Sequence, residues 1–152
     1  MNSLEKQMFI FGSLFLLSNK LQVIGDQYLG RDSITMKQWF LTIMISQFQE
    51  KPPTLSKVAE LMGSSRQNVK QLALKLQEKE FLIIEKDEQD ARALRLKLTK
   101  KCIDYWENRK DMDYEFIKDL FQNLSEEETE AIFRGFNKLI DKMEELEKRY
   151  LY

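Results

Sequence analysis

The sequence predicts a mainly α chain (an α+β fold with a single small hairpin), and three observations predict it. Glycine and proline are scarce, five and two among 152 residues, so little interrupts long helices. Two short amphipathic stretches meet at Gly63, a residue free to take the left-handed conformation that ends a helix. Beyond them, Phe81-Leu82-Ile83-Ile84 is an apolar run of strand type, and Leu94-Arg95-Leu96-Lys97-Leu98 alternates strictly, as a half-buried strand does. Helix, glycine turn, helix and hairpin in that order form a winged helix-turn-helix. It is placed at about 33–99, with flanking dimerisation helices at about 4–24 and 100–149, all within a single domain spanning 1–152.

The first helix of the pair begins after Pro52-Pro53, since proline lacks an N–H and fixes φ. Thr54 or Ser56 can cap it. Leu55, Val58, Ala59, Leu61 and Met62 give it an apolar face at helical spacing. The second helix opens at Ser64-Ser65-Arg66-Gln67, where Ser64 and Gln67 have capping-box spacing. Val69, Leu72, Ala73 and Leu76 form its apolar stripe. Ser65, Arg66, Gln67, Asn68, Lys70, Gln71 and Lys75 lie on or near the other face. These are the residue types that read duplex DNA: arginine on guanine O6/N7, glutamine or asparagine on adenine N6/N7, lysine and serine on phosphates. The alternative is an ordinary solvated helix face.

The hairpin projects residues 85–93, with Arg92 near the tip. Arginine is drawn into a narrow minor groove by its negative potential. Asp90, two residues earlier, is placed to orient a neighbouring group, Arg92 being one candidate. The plain reading is a charged loop that its charges keep soluble.

Charge supports the first reading. The net charge is −1, yet residues 54–101 hold eleven Lys and Arg against seven Asp and Glu, a local +4. Residues 102–152 hold eight against fourteen, a local −6. Positive charge is concentrated on the unit that would meet DNA.

The ordered set Val58-Ala59-Glu60-Leu61, Ser64-Ser65, Leu72 and Leu76, Asp90-Ala91-Arg92-Ala93 and Leu96-Lys97-Leu98-Thr99 resembles the multiple-antibiotic-resistance regulator (MarR) family of bacterial winged-helix repressors. The resemblance extends over nearly the whole chain. It departs from the family pattern at Glu80 and Cys102, where glycine is frequent, at Glu85-Lys86, where an arginine is frequent, and at the wing, which has Arg92 alone instead of paired arginines. The resemblance implies a cytoplasmic homodimer that binds a palindromic site on double-stranded DNA. Ser64, Ser65, Arg66, Gln67, Asn68, Lys70, Gln71 and Lys75 would meet the major groove, and Arg92 the minor groove. It also implies release by a small aromatic effector, with Phe15, Trp39 and Tyr105 as candidate lining residues; for each of the three, plain core packing is the competing reading.

The outer segments are consistent with a dimer. Residues 8–17, MFIFGSLFLL, are apolar all round, as in a helix buried on several sides. The run is shorter than the roughly 20 residues of a bilayer span, and no small-x-small cleavage site follows it. An N-terminal helix of a soluble protein is expected, with no membrane partner. A second helix is expected at 33–48, with Ile34, Met36, Trp39, Phe40, Ile43 and Met44 in the core. The long helix at 100–121 carries a charged middle at 108–113, exposed or kinked. Ser125 and Glu128 form a second capping box, and Ile132, Phe133, Phe136, Leu139, Ile140, Met143 and Leu146 then recur close to heptad spacing. Apolar helices at both ends exceed what a small winged helix can cover, so pairing with a second copy is expected.

No enzyme, cofactor or metal is expected. The chain has no histidine, no nucleophile–base pair and no phosphate-binding glycine loop. One cysteine excludes an intramolecular disulfide. Lys100, Lys101 and a helix start could stabilise a Cys102 thiolate, but packing as a small hydrophobe is the reading adopted. The rival function is a winged-helix protein–protein interaction module that does not bind DNA.

Overall fold

A computed structural model describes residues 1–151. Its elements are α1 (Ser3–Leu29), a 3-10 turn (Gly30–Asp32), α2 (Met36–Ser46), α3 (Leu55–Leu61), α4 (Arg66–Glu78), β1 (Leu82–Lys86), β2 (Leu94–Leu98), α5 (Lys100–Phe121) and α6 (Glu126–Tyr150). The chain divides into two compact units, Met1–Tyr105 and Trp106–Tyr152, with the division inside α5.

The first unit contains the winged helix. β1 and β2 pair antiparallel, with Leu82 opposite Leu98 and Lys86 opposite Leu94. An isolated bridge from Thr54 to Arg95 adds a third edge. The core is Leu41 and Ile45 of α2, Leu55, Val58 and Ala59 of α3, Val69, Ala73 and Leu76 of α4, Leu82 of β1, Leu96 of β2, and Cys102 at the start of α5. Each helix contributes residues three or four apart, so one face of each meets the others. Cys102 is fully buried, in keeping with its reading as a small hydrophobe.

α1 is five residues longer at its C-terminal end than the sequence reading. It starts at a capping box: the Asn2 side chain accepts from Glu5 N–H at 2.9 Å, and Glu5 Oε2 accepts from Asn2 N–H at 2.8 Å. Its apolar stretch is not buried within the chain. Met8, Phe9, Ile10, Phe11, Phe15, Leu16 and Leu17 are all exposed. By length and composition alone the stretch Ser3–Asp32 is apolar enough to cross a membrane, a test the shorter run 8–17 fails. Its far end, however, is built into the winged helix. Gly25 lies so close to α2 that a Cβ there would come within 2.2 Å of Met36 Cγ. The Asp26 carboxylate accepts the Met36 N–H at 2.6 Å.

α2 starts three residues later than expected. Ser33 has φ 56°, which breaks the helix, and Ile34 is buried ahead of it. Thr35 then caps α2 in a reciprocal box with Gln38. Phe40 is more exposed than a core reading allows.

The second unit holds the rest of α5 and all of α6. α5 runs unbroken through 108–113, so the charged middle is not a kink, and Arg109 within it is buried. α6 begins at the expected Ser125–Glu128 box, with bonds of 3.1 and 2.8 Å. Its stripe of Ile132, Phe133, Phe136, Leu139, Ile140 and Met143 is exposed.

Candidate nucleic-acid interface

α3 ends in a Schellman turn. Gly63 at φ 58° donates to Glu60 O, and Ser64 N–H donates to Ala59 O, both at 3.0 Å. Ser64 is thereby committed to closing α3, and the cap of α4 passes to its neighbour. Ser65 Oγ accepts from Asn68 N–H at 3.1 Å. The Ser64–Gln67 box is therefore corrected to a Ser65 cap, and Ser64 instead accepts from the Asn68 side-chain amide at 2.8 Å. Leu61, assigned to the apolar face of α3, is 44% exposed.

Val69, Ala73 and Leu76 anchor one side of α4. On the other side Arg66, Gln67, Lys70, Gln71 and Lys75 are exposed, and none of these five side chains makes a hydrogen bond or ion pair with another described residue. Five donor-bearing side chains thus share one open face, beginning in the first turn. Asn68 differs, because its amide is already engaged by Ser64. At the other end Gln77 Oε1 accepts the Ile84 N–H at 3.0 Å and joins α4 to the hairpin.

β1 runs two residues further than expected, which shortens the wing loop to 87–93. The loop is closed by Asp87 N–H donating to Ala93 O at 2.9 Å and Ala93 N–H to Asp90 O at 2.8 Å. Arg92 projects from it with a side chain 97% exposed. The Asp90 carboxylate accepts the Arg92 N–H at 3.0 Å and lies 3.8 Å from its guanidinium.

Sequence reasoning missed Asp87 and Arg95. The Asp87 carboxylate accepts N–H bonds from Gln89 and Asp90, each 2.9 Å, and from Arg95 Nε. The Asp90 N–H, the Arg95 guanidinium and the Gln89 N–H, in that order, hold its carboxyl at about 2, against an ordinary 3.8. Alternation along β2 was the available signal, since it puts Arg95 between apolar positions. Its partner, however, depends on the hairpin register.

The three candidate effector residues have separate surroundings. Phe15 is exposed on α1, edge-on to Phe11 at 5.2 Å. Trp39 is half-buried on α2. The Tyr105 hydroxyl donates to Asp32 at 2.7 Å and its ring lies 5.1 Å from Phe81. Among the described residues no group of three or more His, Cys, Asp or Glu side chains could hold a metal ion.

No family model and no curated protein sequence matches the chain. Solved structures do. A MarR/EmrR family transcriptional regulator from Acinetobacter sp. ADP1 is 21% identical at TM-score 0.75, covering 91% of this chain and 97% of its own. A MarR protein from Peptoclostridium difficile is 18% identical at TM-score 0.79, covering 90% and 88%. The S. aureus MepR–DNA complex is 25% identical at TM-score 0.75, covering 87% and 97%. Over nearly its whole length, this chain has the winged-helix fold of the MarR family of transcriptional regulators.

Proposed function

We propose that this protein is a cytoplasmic, sequence-specific DNA-binding regulator and a repressor of the MarR type, acting as a homodimer on a palindromic site. The observation that carries this reading is the open face of α4. Arg66, Gln67, Lys70, Gln71 and Lys75 are exposed without internal partners, on a helix whose opposite side is fixed in the core. Groups that read base edges must be held in place by their backbone yet unsatisfied within the protein. Ser65 and Ser64 at the helix start suit phosphate contacts, and Arg92 suits the minor groove. The similarity to the structure solved as a MepR–DNA complex supports the same reading.

A dimer is supported by the apolar faces of α1 and α6, which the chain leaves exposed. In a two-fold dimer the same patch serves both partners, and two recognition helices about 34 Å apart would meet successive major grooves. Release by a small aromatic effector rests on the family resemblance, with Phe15, Trp39 and Tyr105 as its candidate contacts.

In vitro selection from randomised duplex DNA, followed by salt titration of the winning pool, tests the proposal. The expected result is a palindrome bound with a steep salt slope. Weak binding indifferent to sequence would overturn it in favour of a protein–protein interaction module.

A further inference from the structure

The wing is held in an uneven way. Its tip carries Arg92, whose side chain is almost wholly exposed. Its base is held from three directions. Gln77 of α4 holds β1 through the Ile84 N–H, 3.0 Å away. The segment before α3 holds β2, with Leu96 N–H donating to Pro53 O at 3.0 Å and Thr54 bridged to Arg95. Arg95 forms the third connection. Its Nε meets the Asp87 carboxylate while its NH1 donates to the Pro52 carbonyl, so one guanidinium joins the wing loop to the connector between α2 and α3.

Asp87 transmits that hold into the loop. Its carboxylate takes the Gln89 and Asp90 N–H groups, which fixes the turn where Asp90 stands. Asp90 in turn accepts the Arg92 N–H. The chain Pro52–Arg95–Asp87–Asp90–Arg92 therefore runs from the helix-turn-helix to the wing tip through consecutive hydrogen bonds. Both Asp87 and Arg95 have largely buried side chains, 6% and 18% exposed. Neither is an open contact group as Arg92 is. A flexible seven-residue wing loop would have to order its backbone on binding, and that cost would be subtracted from affinity.

We infer that Asp87 and Arg95 are positioning residues for DNA binding: they preorganise the wing loop so that Arg92 is presented in a fixed orientation relative to α4. This inference rests on the proposed DNA-binding function and names the device that sets its wing contact. Asparagine at 87 keeps the shape but loses the charge and puts an NH2 donor where one carboxylate oxygen accepts, so the Oδ1 bonds from Gln89 and Asp90 and the Oδ2 bond from Arg95 cannot all be kept. Lysine at 95 keeps the charge but cannot hold two acceptors at once with a planar fork.

The test uses the full-length protein and a duplex bearing the selected site. Arg92→Ala, Asp87→Asn, Arg95→Lys and the Asp87→Asn/Arg92→Ala double variant are compared for affinity, alongside NMR order parameters of the 87–93 backbone. Arg92→Ala is expected to weaken binding about ten-fold, the usual loss for one groove-reading arginine. Asp87→Asn and Arg95→Lys are each expected to lose about half of that in logarithmic terms, roughly three-fold, with loop order parameters falling below about 0.6. The double variant should bind no worse than Arg92→Ala, because Asp87 acts through Arg92. If Arg92→Ala weakens binding and Asp87→Asn leaves both affinity and order unchanged, the inference falls while the DNA-binding function stands. Arg95→Lys at wild-type affinity would likewise overturn it, leaving Arg95 a mere charge. If Arg92→Ala has no effect but α4 variants do, the wing contact and this inference fall together. Loss of duplex binding selectivity in the wild type removes the function itself. Thermal unfolding of each variant separates misfolding from mispositioning, and Arg95→Lys, which keeps charge and size, serves where Asp87→Asn does not fold.

Discussion

The same residue types meet opposite fates in two regions of this chain. In the winged helix, Leu41, Leu76 and Leu96 are completely removed from solvent. Along α1 and α6, Phe9 and Phe133 remain 69% and 63% exposed. Both regions are rich in apolar residues, set in stripes along α4 and α6 and nearly all round α1, so apolar content alone does not tell which surface the chain covers. The difference lies in what the chain supplies opposite each stripe. Four helices and a hairpin close over the winged-helix core. The outer helices carry more apolar surface than the chain covers, and exposed patches of this extent mark interaction surfaces.

Truncation should break this symmetry most sharply. Leu76→Ala is expected to cost about 2–5 kcal/mol in urea unfolding, since it removes buried methyl groups and leaves a cavity. Phe133→Ala, a larger truncation, should lower the unfolding midpoint far less at protein concentrations where the protein is monomeric. At higher concentration it should shift the association equilibrium, read by analytical ultracentrifugation. Equal loss for both variants in the monomer would mean that the α6 face is covered from within the chain.

The junction between the two regions comes next. Gly25 on α1 leaves no room for a Cβ against Met36, and Asp26 beside it accepts the Met36 N–H. Gly25→Ala should therefore cost about 1–3 kcal/mol through overpacking, although alanine is the better helix former. Gly12, on the same helix with open space around it, should gain up to about 1 kcal/mol from the same substitution. A Gly25→Ala variant as stable as Gly12→Ala would show that α1 is not seated on α2.

The sequence was legible where one local rule decided the outcome. β2 matched residue for residue because its alternation admits one register. α5 matched because its start follows Thr99, whose hydroxyl accepts the Cys102 N–H. It failed where two local rules competed. Ser64 and Ser65 are equally good caps, and the Schellman turn at Gly63 decided between them. The start of α2 is set partly by Asp26, ten residues away on another helix, which no local pattern reveals. The exposed polar face of α4 was legible because it needs only helical spacing. The hold on the wing was not, because Asp87 and Arg95 meet only once β1 and β2 are in register.

A smaller effect is expected at Glu80, where the family pattern favours glycine. Glu80 adopts φ 61°, and its carboxylate meets Lys101 at 2.7 Å, which holds its pKa below the ordinary value through hydrogen bonding and charge. The left-handed backbone costs a non-glycine residue roughly 1–2 kcal/mol, while an exposed ion pair, screened by solvent, returns little. Glu80→Gly should therefore be neutral to stabilising, by up to about 1 kcal/mol, and Glu80→Val should be clearly destabilising. A destabilised Glu80→Gly would mean that the Lys101 pair outweighs the backbone strain.

The finest distinction between the two regions is their response to acid. In the wing, Asp87 is held at about 2 against an ordinary 3.8, first by the Asp90 N–H and then by Arg95 and Gln89. A carboxyl whose folded pKa lies below its unfolded one stabilises the fold fully above the unfolded value. That contribution is lost as pH falls through the folded value. The window is therefore about pH 4 down to about pH 2. In α6, Glu145 is also lowered, first by its hydrogen bond to Lys142, but both groups stand on an open helix surface where solvent screens them. Asp87→Asn should thus flatten the acid limb of the stability curve, and Glu145→Gln should leave it nearly unchanged. Unfolding midpoints taken from about pH 6 to about pH 2 read this directly. The gap between wild type and Asp87→Asn should close as pH approaches 2. A constant gap would mean that asparagine perturbs the loop through shape, and that the Asp87 charge does not hold the wing.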